Sequence, residues 1–217
     1  MRIENNVHRS DCAIYNEPAY RNGKCNCGYN PFPDKKYQII YADPAWKFKV
    51  YSDKGHNDRY RGCPYPVMEK EDICKLTVSD LSDKNCALFI WATYPNLLEA
   101  FNVIDKWGFT YKTVAFTWVK QNPKGVGFHF GLGYWTRANP EICLLATKGN
   151  PKRVDCNVAN LIISPRQAHS KKPSEVRNRI VQLMGDLPRI ELFARPPKDR
   201  LFEDESYKGW DLWGNEV

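Results

Sequence analysis

The stretch Tyr37-Gln-Ile-Ile-Tyr-Ala-Asp-Pro-Ala-Trp46 decides how the rest of the chain is interpreted. Its first six residues form a short, largely apolar run, which is typical of a strand buried on both faces of a sheet. The run stops at Asp43-Pro44. Because ligands bind beyond the carboxyl ends of the strands in open α/β sheets, an acid, a proline and an aromatic side chain at this point indicate a binding site. The alternative is an ordinary turn that follows a strand.

Short apolar runs alternate with amphipathic segments through the rest of the chain. Strands are predicted at residues 87–92, 110–120, 141–147 and 189–194. Helices are predicted at residues 95–107 and 173–184. In the first helix the apolar face is predicted to consist of Leu97, Leu98, Phe101 and Ile104. This alternation predicts an open, mostly parallel α/β sheet with helices on both faces.

Length and charge narrow the class of protein. The chain has 217 residues, the size of one domain, and its 32 Lys and Arg against 25 Asp and Glu give a formal net charge of +7. That excess favours a polyanionic partner. No apolar run reaches the roughly 18 residues of a membrane helix, and the polar opening of the chain does not suit a secretory signal. We therefore expect a cytoplasmic protein with no membrane partner.

Residues 1–36 are rich in Asn, Pro, Cys and Gly and show no periodicity, which predicts an irregular extension before a folded domain at 37–217. Its cysteines could form a structural zinc site. The alternative is free thiols, because Cys-x-Cys is tighter than the usual zinc spacing. The zinc ligands would be His8, Cys12, Cys25 and Cys27. The remaining cysteines are scattered singly and are predicted to be small core residues, with no disulfide. They are Cys63, Cys74, Cys86, Cys143 and Cys156.

The residues after the first strand suit a planar heterocycle that carries an amino group. The carboxylate of Asp43 and the rigidly held carbonyl of Pro44 can each accept one hydrogen of an amine. The indole of Trp46 can stack on the ring.

Asp43-Pro-Ala-Trp46 resembles the Asp-Pro-Pro-Trp motif of the adenine-N6 methyltransferases called the MT-A 70-kDa family, which use S-adenosylmethionine. The resemblance runs from about Lys36 to the C-terminus. Further blocks follow in the family's order: Leu88-Phe-Ile-Trp-Ala92, Trp118-Val-Lys120, Gly133-Tyr-Trp-Thr-Arg-Ala-Asn-Pro-Glu141, His169-Ser-Lys-Lys-Pro173, Ile190-Glu-Leu-Phe-Ala-Arg195 and Trp213-Gly-Asn-Glu216. Ala45 replaces the second proline of the tetrad, and Pro197-Lys198 stands where eukaryotic relatives have His and Asn.

The resemblance implies a Rossmann-like methyltransferase fold with permuted motif order, in which the catalytic tetrad precedes the cofactor-binding half. The implied reaction is methyl transfer from S-adenosylmethionine to the N6 amino group of adenine. DNA is favoured as the substrate, because the short loops look closer to phage and bacterial members. The alternatives are an RNA adenosine methyltransferase and an inactive member that only binds nucleic acid or a partner. A homodimer is open, since some relatives work as pairs.

The resemblance also implies roles for individual residues. Asp43, Pro44 and Trp46 are the catalytic residues. The cofactor-binding residues are Asp43, Arg137, Asn139, Glu191, Arg195, Asn215 and Glu216. Tyr65 matches a tyrosine near the substrate base. For Glu191 and Arg195, the alternative is an ion pair at the end of a strand.

The target base must be flipped out of a duplex or presented on a single strand before it can react. Basic residues are predicted to bind the phosphates of the strand that carries it. The predicted contacts are Lys47, Arg59 and Arg61 in the loop 47–64, then Lys120, Lys124, Arg137, Arg166, Lys171 and Lys172. The alternative is a solvated basic surface. His169 either contacts the substrate or caps the following helix.

Overall fold

The structure is a computed structural model that describes residues 32–47, 67–131, 133, 135–167, 171–196 and 204–214. The strands of this part of the chain are β1 (Tyr37–Ala42), β2 (Ser82–Ala92), β3 (Thr110–Gln121), β4 (Glu141–Lys148), β5 (Leu161–Pro165), β6 (Arg189–Leu192) and β7 (Trp210–Trp213). Its α-helices are α1 (Lys70–Lys75), α2 (Val78–Leu81), α3 (Leu97–Lys106) and α4 (Glu175–Met184). Two 3₁₀ turns span Tyr94–Asn96 and Glu205–Tyr207.

The described strands form one sheet in the order β5-β3-β4-β2-β1-β6-β7. β1 lies near the centre and pairs in parallel with β2 and with β6. β3–β5 and β6–β7 are also parallel, whereas β4 runs antiparallel to both of its neighbours. The predicted mostly parallel α/β sheet is therefore confirmed.

Helices cover both faces of this sheet, as predicted, because successive side chains of a strand point to opposite sides. On one face Leu88 and Ile90 of β2 belong to a core that also contains buried residues of α1, α2 and α3. On the other face Phe89 and Trp91 pack in a core with Val176 and Ile180 of α4. β1 and β2 are accordingly apolar along both faces, which explains why their sequences read as runs rather than as alternating patterns.

The predicted apolar face of α3 was right for Leu97 and Ile104, which pack in the core, and wrong for Leu98 and Phe101, which are exposed. Leu98 is 81% exposed, and the residues that α3 buries are Ala100, Val103 and Ile104. Directly after α3, the buried indole Nε1 of Trp107 donates to the Ile73 carbonyl at 3.0 Å and joins this end of the helix to α1. The larger side chains at 98 and 101 form a competing apolar stripe, and local periodicity does not say which stripe meets the core.

Several elements were not predicted from the sequence. α1, α2, β5 and β7 are short, and β5 alternates buried Ile162 with half-exposed Leu161 and Ile163, a weak pattern. β2 begins five residues before its predicted start, at Ser82. No helix among the described residues is long and apolar enough to cross a membrane.

The described end of the predicted extension packs against the domain. The ring of Phe32 lies 4.6 Å from that of Trp213, and Lys35 forms an ion pair with Asp211 at 2.6 Å. The earlier residues of the extension lie outside the described residues.

The cysteines follow the prediction in part. Cys86 and Cys143 are buried as expected and Cys74 is half-buried. Cys156, however, is exposed, because it belongs to an irregular surface segment between β4 and β5 rather than to a strand. Cys63 lies outside the described residues.

Candidate active site

The carboxyl ends of β1, β2, β3 and β6 meet at one edge of the sheet, since these strands run in the same direction. The antiparallel strand β4 begins at this edge, with Glu141 opposite Trp118 of β3. Asp43 follows β1 directly, and its backbone N–H lies 3.5 Å from the carbonyl oxygen of Leu192 in β6. The topology thus places Asp43 where a Rossmann-like sheet binds its ligands.

Two acids and two lysines form a continuous chain of ion pairs here, which we call the acid–lysine cluster: Asp43, Lys172, Glu141 and Lys120. The Lys172 Nζ lies 2.7 Å from Asp43 Oδ2 and 3.2 Å from Glu141 Oε2. The Lys120 Nζ lies 2.5 Å from Glu141 Oε1. The side chain of Lys172 is 8% exposed, whereas that of Asp43 is 20% exposed. The ammonium of Lys172 is therefore enclosed, and the carboxylate of Asp43 keeps access to a ligand.

Burial and charge act against each other in this cluster. Burial raises the pKa of Asp43, and the neighbouring Lys172 ammonium opposes that rise. For Glu141, burial is outweighed by Lys172 and Lys120, which lower its pKa to about 2. Burial alone would lower the pKa of Lys172, but Asp43 and Glu141 hold it above its usual range. Lys172 therefore stays charged at neutral pH and favours the ionised form of Asp43.

The tetrad after β1 is held by hydrogen bonds on three sides. The backbone N–H of Trp46 donates to the Pro44 carbonyl at 2.8 Å, and that of Met68 donates to the Ala45 carbonyl at 2.9 Å. The indole Nε1 of Trp46 donates to the carbonyl of Trp91 at 2.8 Å. The Pro44 carbonyl is thus fixed in direction, and its oxygen has a second lone pair for another donor.

Trp46 contributes most of its ring to the core. Its side chain is buried with residues of α1 and α3, such as Ile73 and Ala100. Its contacts fix the tetrad to β2, and its predicted stacking on a substrate base stays a prediction.

A second buried ion pair lies at the β6 side of the site. Arg177 of α4 holds the Glu191 carboxylate at both oxygens, with Nε–Oε2 at 2.5 Å and Nη2–Oε1 at 2.8 Å. The Arg177 guanidinium also lies 3.8 Å from the centroid of the Tyr207 ring. The Tyr207 hydroxyl in turn donates to the backbone carbonyl of Arg195 at 3.3 Å. Glu191 is therefore paired with Arg177, a residue of α4.

Two residues predicted for the cofactor, Arg137 and Asn139, bind backbone groups. The Asn139 amide accepts from the N–H of Lys120 at 2.9 Å and donates to the carbonyl of the same residue at 2.9 Å, and it also donates to the carbonyl of His129. Arg137 donates to the carbonyls of Gly131 at 2.9 Å and Phe130 at 2.6 Å. They hold the segment between β3 and β4, and their cofactor role stays a prediction.

Basic residues predicted for phosphate contact fall into two groups. Lys47 is exposed and forms an ion pair with Glu69 at 2.6 Å. Lys120 and Lys172 are instead part of the acid–lysine cluster, so the surface role predicted for Lys172 is wrong for an enclosed ammonium. Lys171, its neighbour, is half-buried.

Sequence reasoning missed Glu141, Arg177 and the internal position of Lys172. Glu141 and Lys172 lie inside the quoted family blocks, so the signal was present, whereas nothing local marks Arg177 as the partner of Glu191.

Ten predicted site residues lie outside the described ones: His8, Cys12, Cys25, Cys27, Arg59, Arg61, Tyr65, His169, Asn215 and Glu216. Within the described ranges, no group of three or more His, Cys, Asp or Glu could hold a metal ion.

Comparison with known proteins gives the family. The MT-A70 family model matches residues 37–216. The chain is 34% identical to the Type II methyltransferase M.MunI of Mycoplasma sp, over 94% of this chain and 89% of that protein. It is 29% identical to the N(6)-adenosine-methyltransferase subunit METTL3 of Danio rerio, over 74% of this chain but 26% of that protein. The chain therefore belongs to the MT-A70 family of S-adenosylmethionine-dependent methyltransferases, as its motifs predicted.

Proposed function

We propose that this protein transfers a methyl group from S-adenosylmethionine to the N6 amino group of adenine in nucleic acid, with DNA as the favoured substrate. The observation that carries the proposal is the position of Asp43. It follows β1 near the centre of the sheet, its side chain is partly accessible, and it is paired with the enclosed ammonium of Lys172. The fixed carbonyl of Pro44 is the next acceptor along the chain.

The chemistry of the amine explains why two acceptors are needed. The lone pair of the adenine amino nitrogen is delocalised into the ring, which makes the nitrogen a poor nucleophile. Hydrogen bonds from its two N–H groups to Asp43 and to the Pro44 carbonyl would favour a tetrahedral nitrogen and orient its lone pair. Positive charge then develops on this nitrogen, and a carboxylate already in place stabilises it. Lys172 supports this role because it favours the ionised form of Asp43.

The donor and acceptor set fits S-adenosylmethionine. When bound, the cofactor supplies a methyl group on a positively charged sulfur, together with an amino-acid end of both charges. The accessible carboxylate of Asp43 is a suitable partner for the positive charge of that end, and the enclosed ammonium of Lys172 keeps this carboxylate ionised. Glu191, Arg195, Asn215 and Glu216 are proposed for the ribose and adenine. For Glu191 this contact would have to form beside the pair with Arg177.

The choice of DNA over RNA is supported by the extent of the similarities. The Type II methyltransferase matches along nearly the whole of both chains, whereas METTL3 matches over about a quarter of its own length. The RNA alternative has the same chemistry and is supported by the name of METTL3. The inactive alternative is disfavoured because Asp43 and Trp46 are both present.

One experiment separates these alternatives. The protein is incubated with methyl-labelled S-adenosylmethionine and equal amounts of duplex DNA, single-stranded DNA and RNA, and the digested nucleosides are analysed. We expect N6-methyladenine from DNA, and its loss in Asp43→Asn. The exposed Asp34→Asn is the matched control and should retain activity. Labelled RNA alone would establish the RNA alternative, and no label in any nucleic acid, or full activity of Asp43→Asn, would refute the proposal.

A further inference from the structure

The segment that joins β3 to β4 is unusual in composition. We call its described residues, 122–131, 133 and 135–138, the aromatic loop. It contains no Asp or Glu, and its side chains include Lys124, Arg137 and four exposed apolar groups. These are Val126, Phe128, Phe130 and Trp135, each at least half exposed. Several large apolar side chains exposed on one basic segment are typical of a binding surface.

The backbone of the aromatic loop is anchored rather than loosely attached. Asn139 ties the His129 carbonyl to the end of β3, and Arg137 holds the carbonyls of Phe130 and Gly131. Isolated bridges join Gln121 to Phe128 and Gly131 to Ala138. Phe128 and Phe130 therefore project from a hydrogen-bonded backbone, which lowers the entropy that binding would cost.

The anchor of the aromatic loop is shared with the active site. Asn139 brackets the backbone of Lys120, and the ammonium of Lys120 binds Glu141 in the acid–lysine cluster. Three ion pairs therefore connect the start of the loop to Asp43, along the chain Lys120–Glu141–Lys172–Asp43.

The surroundings of the aromatic loop are cationic. Burial and the nearby charges of Arg166, Lys120 and Arg137 together lower the pKa of His129. A polyanion would be attracted to such a surface. A second copy of the chain is a poorer match, since each copy carries a net charge of +7 and the loop has no carboxylate to pair with.

We propose that the aromatic loop is a stacking platform for the nucleotides that flank the target adenine. Trp135, Phe130 and Phe128 would stack on unpaired bases, while the neighbouring cations bind the phosphates. Aromatic faces accept any base, so this surface would hold the strand without reading its sequence. The proposal rests on the proposed function only for the identity of the substrate as a nucleic acid.

The distribution of tryptophans makes the platform directly testable. Trp135 is 82% exposed, whereas the other six are at most 7% exposed: Trp46, Trp91, Trp107, Trp118, Trp210 and Trp213. Quenching of tryptophan fluorescence by a short oligothymidylate therefore reports on Trp135. We expect quenching in the natural protein and its loss in Trp135→Phe. By fluorescence anisotropy of a labelled oligothymidylate, Trp135→Ala and Phe130→Ala should each bind roughly tenfold more weakly.

Leu98→Ala is the matched control, since Leu98 is equally exposed on α3 and should bind the oligothymidylate like the natural protein. Affinities of Trp135→Ala and Phe130→Ala within twofold of the natural protein would overturn the proposal. So would a change of sedimenting mass in these variants at unchanged affinity, because it would identify the loop as a contact between protein copies. The probe contains no adenine. Failure of methyl transfer with intact, Trp135-dependent binding would therefore refute the proposed function and leave the platform standing.

Discussion

The Nζ of Lys172 lies 2.7 Å from Oδ2 of Asp43, so the residue that precedes Pro173 and α4 sets the charge environment of the carboxylate that follows β1. The same ammonium lies 3.2 Å from Glu141 at the start of β4. Three segments that are far apart in the sequence thus meet at one atom. Their interdependence leads to the first two predictions.

Replacement of Lys172 should change the pH dependence of methyl transfer. Without the ammonium, burial raises the pKa of Asp43 unopposed, so the ionised carboxylate persists only at higher pH. In Lys172→Met we expect the acidic limb of the pH–rate profile to move to higher pH, with activity at pH 7 roughly 10- to 100-fold lower. Lys112→Met, at an exposed position of β3, is the control and should keep the natural profile. An unmoved acidic limb in Lys172→Met would count against electrostatic support of Asp43.

Glu141 should contribute to stability in a defined pH range. Its pKa is lowered to about 2 in the folded protein, so the contribution is complete above the ordinary value of 4.5 and is lost as the pH falls toward 2. Glu141→Gln should lower the free energy of unfolding at pH 7 by roughly 3 kcal/mol. Urea unfolding of both proteins between pH 7 and pH 2 measures the difference, which should shrink below about pH 5.

The control for this series is Glu205→Gln, because Glu205 is an exposed residue of a 3₁₀ turn. It should unfold like the natural protein throughout. If Glu141→Gln lowers the free energy of unfolding by the same amount at every pH, the variant has lost packing contacts rather than a charge interaction.

The buried pair between Arg177 and Glu191 should behave as a unit. Arg177→Met leaves a carboxylate that is buried without its cation, which costs about 3–5 kcal/mol of stability. The double variant Arg177→Met/Glu191→Gln removes that unpaired charge, so it should be more stable than Arg177→Met alone. The free energies of unfolding in urea of the natural protein, the two single variants and the double variant complete a double-mutant cycle. Additive losses would show that the two side chains are not coupled.

A substitution can distinguish two roles of Trp46, positioning the tetrad and stacking on the substrate base. Trp46→Phe keeps an aromatic ring but removes the hydrogen bond from the indole N–H to the Trp91 carbonyl. If that bond positions the tetrad, kcat should fall with little change in KM, and the unfolding free energy should fall by roughly 1–3 kcal/mol.

Trp107→Phe is the matched control for Trp46→Phe, since it removes an equivalent buried bond, to the Ile73 carbonyl, away from the site. It should lose similar stability and keep its kcat. If Trp46→Phe also keeps the natural kcat, the positioning role is refuted. A rise in KM for nucleic acid alone would instead favour stacking on the base.

The local sequence was sufficient to predict strand β1 and the position of the acid that follows it. Residues 37–42 are apolar enough to be buried on both faces, and Asp43-Pro44 ends the strand, so both features follow from neighbouring residues. The helix that ends at Gly185 was likewise predicted from the pattern of its own residues. The family and its cofactor followed from an ordered set of short motifs, each visible without the fold.

The contacts that make Asp43 useful were decided by tertiary structure. Asp43, Glu141 and Lys172 are separated by up to 129 positions and meet because the sheet order places β4, β2, β1 and β6 side by side. The pairing of Glu191 with Arg177, and the helix face that α3 buries, depend likewise on which element packs opposite. Periodicity reports the conformation of a segment, whereas an ion pair across elements depends on strand order and helix orientation, which no single segment contains.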